Sequence, residues 1–475
     1  MLFTSLEFLF FFLPGTLIGY FLLPRRARNY WLLAVSLFFY AWGEPVFLLA
    51  LLFSILFNYI IALPISRIAP DRKERKLLLA LAVVVNIGFL FTLKYMNFLR
   101  DILVPFLPWT GDLFGGVQFV MPIGISFFTF QALSYVIDVY RNTPPQYNLA
   151  HLGLYISFFP QLIAGPIVRY TTIADQINNR TITVDSFSRG MLRFLRGFAK
   201  KMLLANTFAV VADQAFGATE LSVAMAWLGI ICYTLQIFFD FSGYSEMAIG
   251  LGQMFGFTFL ENFNYPYISK TITEFWRRWH ISLGSWFRDY LYFPLGGSRV
   301  KSRARLVFNL LVVWCATGMW HGASWNFILW GLMYGVIIIF EKITALPKRL
   351  PGHHVSAVLY QAFTLLAVML GWVLFRAETL TDASAYLRTM FGFAGAPLTD
   401  AIFRLYLHDY RIFLITGILC SMPVFKKAKE ILSSREPNLL IVCDIAGCAI
   451  QIALFLIGIS YIIIEAHNPF IYFNF

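Results

Sequence analysis

Two histidines, His280 and His321, stand among tryptophans, arginines and glycines in a chain that is otherwise strongly apolar. His280 closes the run Trp276, Arg277, Arg278, Trp279, His280, and His321 sits in the sequence WHGASW at 320–325. Polar side chains in an apolar medium are costly unless they are paired or used, so both are candidates for chemistry. Histidine can take a proton near neutral pH, because its ordinary pKa is about 6.5. Transfer of an acyl group to a hydroxyl needs such a base, together with donors that hold the developing oxyanion. Beside His321, the small residues Gly322, Ala323 and Ser324 let a substrate come close, while Trp320 and Trp325 exclude water. A hydrogen-bonded packing histidine between helices meets the same description, and the residues alone leave both readings open.

At helical spacing, Trp276 and Arg277 share a face with His280, four and three residues before it. Arg277 and Arg278 suit a phosphate-bearing donor through charge-assisted, bidentate bonds, with His280 at the donor's reactive end. The same segment also describes an interfacial belt of aromatic and arginine side chains, and spacing does not separate the two. Asp240, in QIFFDFSGYSEMAIG, is an acid inside an apolar run. It reads either as a functional group or as part of a helix-joining polar cluster with Ser242, Tyr244 and Ser245.

The elements that must position these residues belong to a membrane. Of 475 residues, 59% are hydrophobic, 18% aromatic and only 13% charged, against roughly 25% charged in an ordinary soluble domain. So few charges cannot cover a water-soluble surface of this size. Apolar runs of spanning length recur from end to end, which predicts an all-α polytopic membrane protein of some dozen helices. The net charge of +12 falls mainly in short loops between those runs. The positive-inside rule explains it without nucleic acid, and the same loops suit an anionic cofactor. Cys232, Cys315, Cys420, Cys443 and Cys448 lie mostly inside apolar runs without metal-ligand spacing, so no metal is expected.

Taken in order, the predicted spans are 3–23, 29–43, 46–65, 77–95, 121–140, 222–242, 244–260, 306–320, 324–341, 355–375, 409–425 and 439–464, with both termini outside. The first lacks a basic leader and a small-residue cleavage site, and is expected to remain as a transmembrane helix. Two prolines in FFPQLIAGPIVRY, at 158–170, predict a re-entrant or broken helix lining a cavity, or else a simple loop. The basic and apolar faces of 186–217 suggest a segment lying along the inner surface. Charge places 261–305 on the cytoplasmic side. The stretch 306–320 is about five residues short of a full span, since a span needs roughly 20 residues. His321 is therefore expected either within the membrane or where the bilayer is thin. No internal repeat supports the inverted symmetry common in transporters.

Five ordered stretches carry a resemblance. TFQALSYVIDVYR at 129–141, YISFFPQLIAGPIVR at 155–169, QIFFDFSGYSEMAIGLG at 236–252, ENFNYPYISKTITEFWRRWHISLGSWFRDYLYFPLGG at 261–297 and WHGASWNFILWGL at 320–332 resemble the membrane-bound O-acyltransferase family. Within it they are most similar to the bacterial branch of alginate O-acetylases and peptidoglycan O-acetyltransferases. The resemblance covers 1–475 as one domain, with core motifs at 121–345 and an aromatic tail at 468–475. It implies a ring of about a dozen transmembrane helices around a thin core with re-entrant segments, in the bacterial cytoplasmic (inner) membrane. His321 matches the family's catalytic histidine and His280 the second active-site histidine of this branch. The implied donor is acetyl-coenzyme A entering from the cytoplasm, with its phosphates on Arg277, Arg278, Lys270 and Arg288. The implied acceptor is an exported polysaccharide such as alginate or peptidoglycan, served by a separate periplasmic partner of the SGNH or esterase-like kind.

The tail PFIYFNF resembles the aromatic tail of the same branch and offers Tyr472 as an acyl relay; an interfacial aromatic anchor is the plain alternative. Two other functions fit parts of the chain. One is transfer of D-alanine to teichoic acid. The other is a transporter or flippase for an acyl-bearing substrate, drawing on Pro160, Pro166 and Asp240.

Overall fold

The computed structural model describes residues 1–107, 109–110, 117–349, 354–435, 437–464 and 471, so Tyr472 lies outside the described residues. Regular structure among them is helical throughout, with no β-strand. Six helices are long and apolar enough to cross a membrane by length and composition: Leu48–Arg67, Lys73–Leu103, Val223–Met254, Trp325–Ile343, Val355–Arg376 and Ile441–Ile464. Phe8–Leu22 and Ile125–Tyr140 are shorter apolar helices. The chain is thus a multi-pass membrane protein. It divides into two compact units, Met1–Phe194 with Met247–Leu260, and Leu195–Glu246 with Glu261–Phe475.

In the first unit, some buried polar side chains find partners on neighbouring helices, as an apolar surrounding favours. Asn58 and Asn86 exchange reciprocal amide bonds of 3.0 and 2.8 Å between the helices Leu48–Arg67 and Lys73–Leu103. The stretch around the two prolines is broken. Helices Leu149–Ser157 and Phe159–Leu162 are followed by non-helical chain up to Tyr170, and residues 158–168 are all buried. Irregular backbone at this depth needs internal partners. The Tyr155 hydroxyl donates to Val168 O at 3.0 Å, and the Gln161 amide donates to Tyr155 O at 2.5 Å.

Two expectations change. The break anticipated near residue 243 is absent, and Val223–Met254 is one continuous helix of 32 residues. Gly243 is no turn residue; a Cβ there would lie 2.7 Å from Gly197 O, so its missing side chain serves close helix packing. The segment expected along the inner surface also places side chains in the protein interior. A π-helical turn at Lys200–Ala205 joins the helices Val184–Ala199 and Asn206–Gly217. From that turn Lys200 reaches Glu246 at 2.6 Å, and Lys201 reaches Asp240 at 2.7 Å. Lys201 and Asp240 are almost fully buried, and Asp240 also accepts the N–H of Ile471 at 2.8 Å. Asp240 is therefore one half of an interior ion pair.

Breaking a buried pair from one side leaves a charge without compensation, at about 3–5 kcal/mol, whereas an apolar replacement of both partners is often neutral. Lys201→Met is expected to lower the thermal unfolding midpoint of the purified protein sharply, and Lys201→Met with Asp240→Leu to recover most of the loss. Equal midpoints for the single and double variants would contradict the pairing.

Candidate active site

Only Trp276, Arg277 and Arg278 of the WRRWH run are helical, in a short helix, Ile272–Arg278, whose start is held twice. Trp279 is extended, so His280 does not share the helical face expected with Trp276 and Arg277. Thr271 caps it by accepting the N–H of Glu274 at 3.1 Å. Glu341, fully buried on the helix Trp325–Ile343, accepts the N–H groups of Ile272 and Thr273 at 2.8 Å each. The same carboxylate accepts the hydroxyls of Thr273 and of Tyr360. A buried negative charge is sustained there because the helix start presents unpaired donors and the positive end of its dipole.

Held in this way, the helix turns its tryptophans into an aromatic floor. Trp276 meets Trp314, Tyr334 and Trp330 at centroid separations of 4.9, 5.0 and 5.4 Å. Trp279 meets Trp372 and Phe263 at 4.9 and 5.0 Å.

His280 follows in the left-handed region, at φ +44° and ψ +53°, and heads the next helix, Ile281–Phe287. Non-glycine residues held there cost of order 1–3 kcal/mol and persist where their surroundings over-determine them. Asn262 does this. Its backbone oxygen accepts the N–H of Ile281 at 3.0 Å, and its side-chain oxygen accepts the N–H and hydroxyl of Ser282 at 3.2 and 2.9 Å. That oxygen also lies 3.1 Å from His280 Nδ1. His280 belongs to none of the span-length helices, and burial pushes its pKa down to about 3. The ring is neutral at physiological pH.

His321 is the last residue of the helix Arg303–His321 and is buried. Trp320, Trp330 and Phe375 present T-shaped contacts to its ring at 4.9, 4.9 and 5.2 Å. Trp320 joins the two histidines, since its ring also lies 5.7 Å from that of His280. The placement of His321 depends on backbone contact between its helix and the next. A Cβ on Gly331 would collide with Trp314 O, and one on Gly318 with Phe327 O.

The four cations expected to meet donor phosphates divide into two pairs. Arg277 and Lys270 are exposed, and their side chains carry no ion pair among the described residues. Arg278 is tied to Glu274 at 2.9 Å, and Arg288 to Asp289 at 2.8 Å. Among the described residues no group of three or more His, Cys, Asp or Glu side chains could hold a metal ion.

A model of the membrane-bound O-acyltransferase family matches residues 30–377, and these contain both histidines, the Glu341 cap and the whole aromatic floor. The chain belongs to the membrane-bound O-acyltransferase family. Among its relatives in that family, a probable alginate O-acetylase of Azotobacter vinelandii is 45% identical over 84% of this chain and 80% of its own length. A peptidoglycan O-acetyltransferase of Helicobacter pylori is 37% identical over 84% of this chain and 81% of its own. A teichoic acid D-alanyltransferase of Bacillus subtilis is 29% identical over 54% and 69%.

Both histidines of this O-acyltransferase stand out in the sequence, whereas the residues that hold them do not. Glu341 carries the signal of a lone acid at the end of an apolar run. Asn262 carries none, because it lies between helices and its partners are 17 to 20 residues away.

Removing the Glu341 acceptor strands buried donors at about 1–3 kcal/mol each. Glu341→Leu is expected to loosen the aromatic floor, seen as red-shifted tryptophan emission and a lowered unfolding midpoint; an unchanged spectrum would contradict the capping role. Protons bind the unfolded His280 below pH about 6.5, but the folded residue only near 3. Its contribution to stability is therefore intact above pH about 6.5 and lost progressively as pH falls. Acidification from pH 7 to about 4.5 should lower the unfolding midpoint more in the parent than in His280→Gln.

Proposed function

We propose that this protein transfers acetyl groups from acetyl-coenzyme A, taken from the cytoplasm, toward the hydroxyls of an exported polysaccharide. The observation that carries the reading is similarity along most of the chain to relatives named for alginate and peptidoglycan O-acetylation, in a family whose match encloses both histidines. The basic segment 261–305 favours donor entry from the cytoplasmic side of a bacterial inner membrane. Arg277 and Lys270 serve the donor's phosphates as exposed cations, while Arg278 and Arg288 contribute through residues already paired with acids.

In this reading His321 removes the proton from the attacking hydroxyl as its oxygen bonds to the thioester carbonyl carbon. The carbon–sulfur bond breaks, and the thiolate leaves and takes up a proton. His280 assists from the cytoplasmic face. The phenol of Tyr472 is that attacking hydroxyl. A hydroxyl of a periplasmic esterase-like partner that meets the polymer then attacks the ester carbonyl, the bond to the phenolic oxygen breaks, and that oxygen takes the proton back. Aromatic walls around His321 favour such chemistry by excluding water, which strengthens every electrostatic interaction inside.

General acid–base catalysis contributes about 10²–10⁴-fold. In inside-out membrane vesicles given radiolabelled acetyl-coenzyme A, His321→Ala is expected to lower transfer by that factor at equal folded amounts. Tyr472→Phe is expected to abolish label on the protein while donor binding persists. Arg277→Gln is expected to raise the KM for the donor and leave kcat little changed. Label from activated D-alanine but none from acetyl-coenzyme A would move the assignment to D-alanyl transfer. Transport of an intact substrate without a covalent product would remove the enzyme reading.

A further inference from the structure

The hydrogen bonds around Asn262 determine which nitrogen of His280 carries its proton. Asn262 is buried, and one end of its side-chain amide faces the backbone N–H of Ser282 at 3.2 Å. A backbone N–H can only donate, so the amide atom facing it is the oxygen, Oδ1. The amide nitrogen then faces Ser245 Oγ at 3.1 Å, where it donates. Oδ1 itself can only accept. His280 Nδ1, 3.1 Å from it, must therefore be the donor and carry the hydrogen. In a neutral imidazole only one nitrogen is protonated, so Nε2 holds a lone pair. The left-handed backbone at His280 and the two bonds from Asn262 to the helix that follows keep the ring in this register.

We propose that Asn262 is a positioning residue that locks His280 as the Nδ1–H tautomer and so makes Nε2 its proton-accepting nitrogen. With Nδ1 engaged, His280 acts toward a ligand solely as an acceptor, and recognises an O–H, N–H or S–H group. The partner on Nδ1 is a neutral amide, and it supplies orientation without the negative charge that a carboxylate would bring. His280 therefore differs from a base paired with a carboxylate, where the imidazolium is stabilised as it forms. The tautomer follows from the hydrogen-bond geometry; its use in acyl transfer rests on the function proposed above.

The test uses the full-length protein with ¹⁵N-labelled histidine in bilayer nanodiscs at pH 7, with the His280 signals assigned by their loss in His280→Gln. The expected result is a protonated Nδ1 and an unprotonated Nε2. A protonated Nε2 in the parent overturns the proposal, whether or not the protein is active. Two variants then separate positioning from folding. Asn262→Leu removes the acceptor and is expected to move the proton to Nε2. It is also expected to lower kcat for acetyl transfer by at least about tenfold, with KM for acetyl-coenzyme A unchanged, as a wrong tautomer does elsewhere. Asn262→Asp keeps an acceptor at the same place and is expected to retain the Nδ1–H form and to restore part of kcat per folded molecule. Equal kcat and equal tautomer in the two variants would overturn the proposal. Should Asn262→Leu fail to fold, the parent and Asn262→Asp spectra still decide. A parent that shows the Nδ1–H form yet transfers no acetyl group would sink the acetyl reading and leave the tautomer lock standing.

Discussion

The Glu341 carboxylate is the contact on which the candidate site depends. A charge with almost no solvent contact survives because it receives two backbone N–H groups and two hydroxyls. Those donors belong to the start of the Ile272–Arg278 helix, so the arrangement that stabilises the acid also fixes the direction in which Trp276 and Trp279 point. The floor they build carries Trp330 and Trp372, and Trp330 in turn packs on His321. One buried carboxylate thus sets the position of rings that reach the histidine.

The same constraint, that polar groups in an apolar interior must find partners within the protein, recurs in three chemical forms. Asn58 and Asn86 solve it with neutral amides between two spanning helices. Lys201 and Asp240 solve it with opposite charges, and the backbone of Ile471 adds a third contact. Asn262 solves it with a single oxygen shared among Ser282 and His280. The first two are costs of placing polar residues at depth, met locally. The third also selects a protonation state, which turns a packing requirement into a chemical one.

Around the histidines, aromatic rings take the place that polar groups or water fill in an aqueous site. Trp320 stands against both imidazoles, and Phe241 approaches His280 at 4.7 Å. Large flat side chains fill space densely with few rotatable bonds, so they can exclude water and still keep the imidazoles at set angles. The glycines at 318 and 331 allow this density by letting the backbones of two helices touch.

Composition and hydropathy determined by themselves that this is a helical membrane protein, because too few charges exist to cover it and the apolar runs have the length of a bilayer. Local patterning also marked His280 and His321, since histidines framed by tryptophan, arginine and glycine are rare in such runs, and it marked the broken stretch at Pro160 and Pro166. Patterning could not tell that Gly243 lies inside a continuous helix, because a glycine that ends a helix and one that admits a neighbour's backbone are the same letter. Nor could it show that two of the four expected cations are tied to acids, although each acid lies within four residues of its partner. Only tertiary structure decided that Lys201 meets Asp240, that Glu341 caps a helix about 70 residues earlier, and that Asn262 holds His280. Each of those is a hydrogen bond or ion pair between distant parts of the chain, and periodicity, which reports only which residues share a face, carries no record of what that face meets.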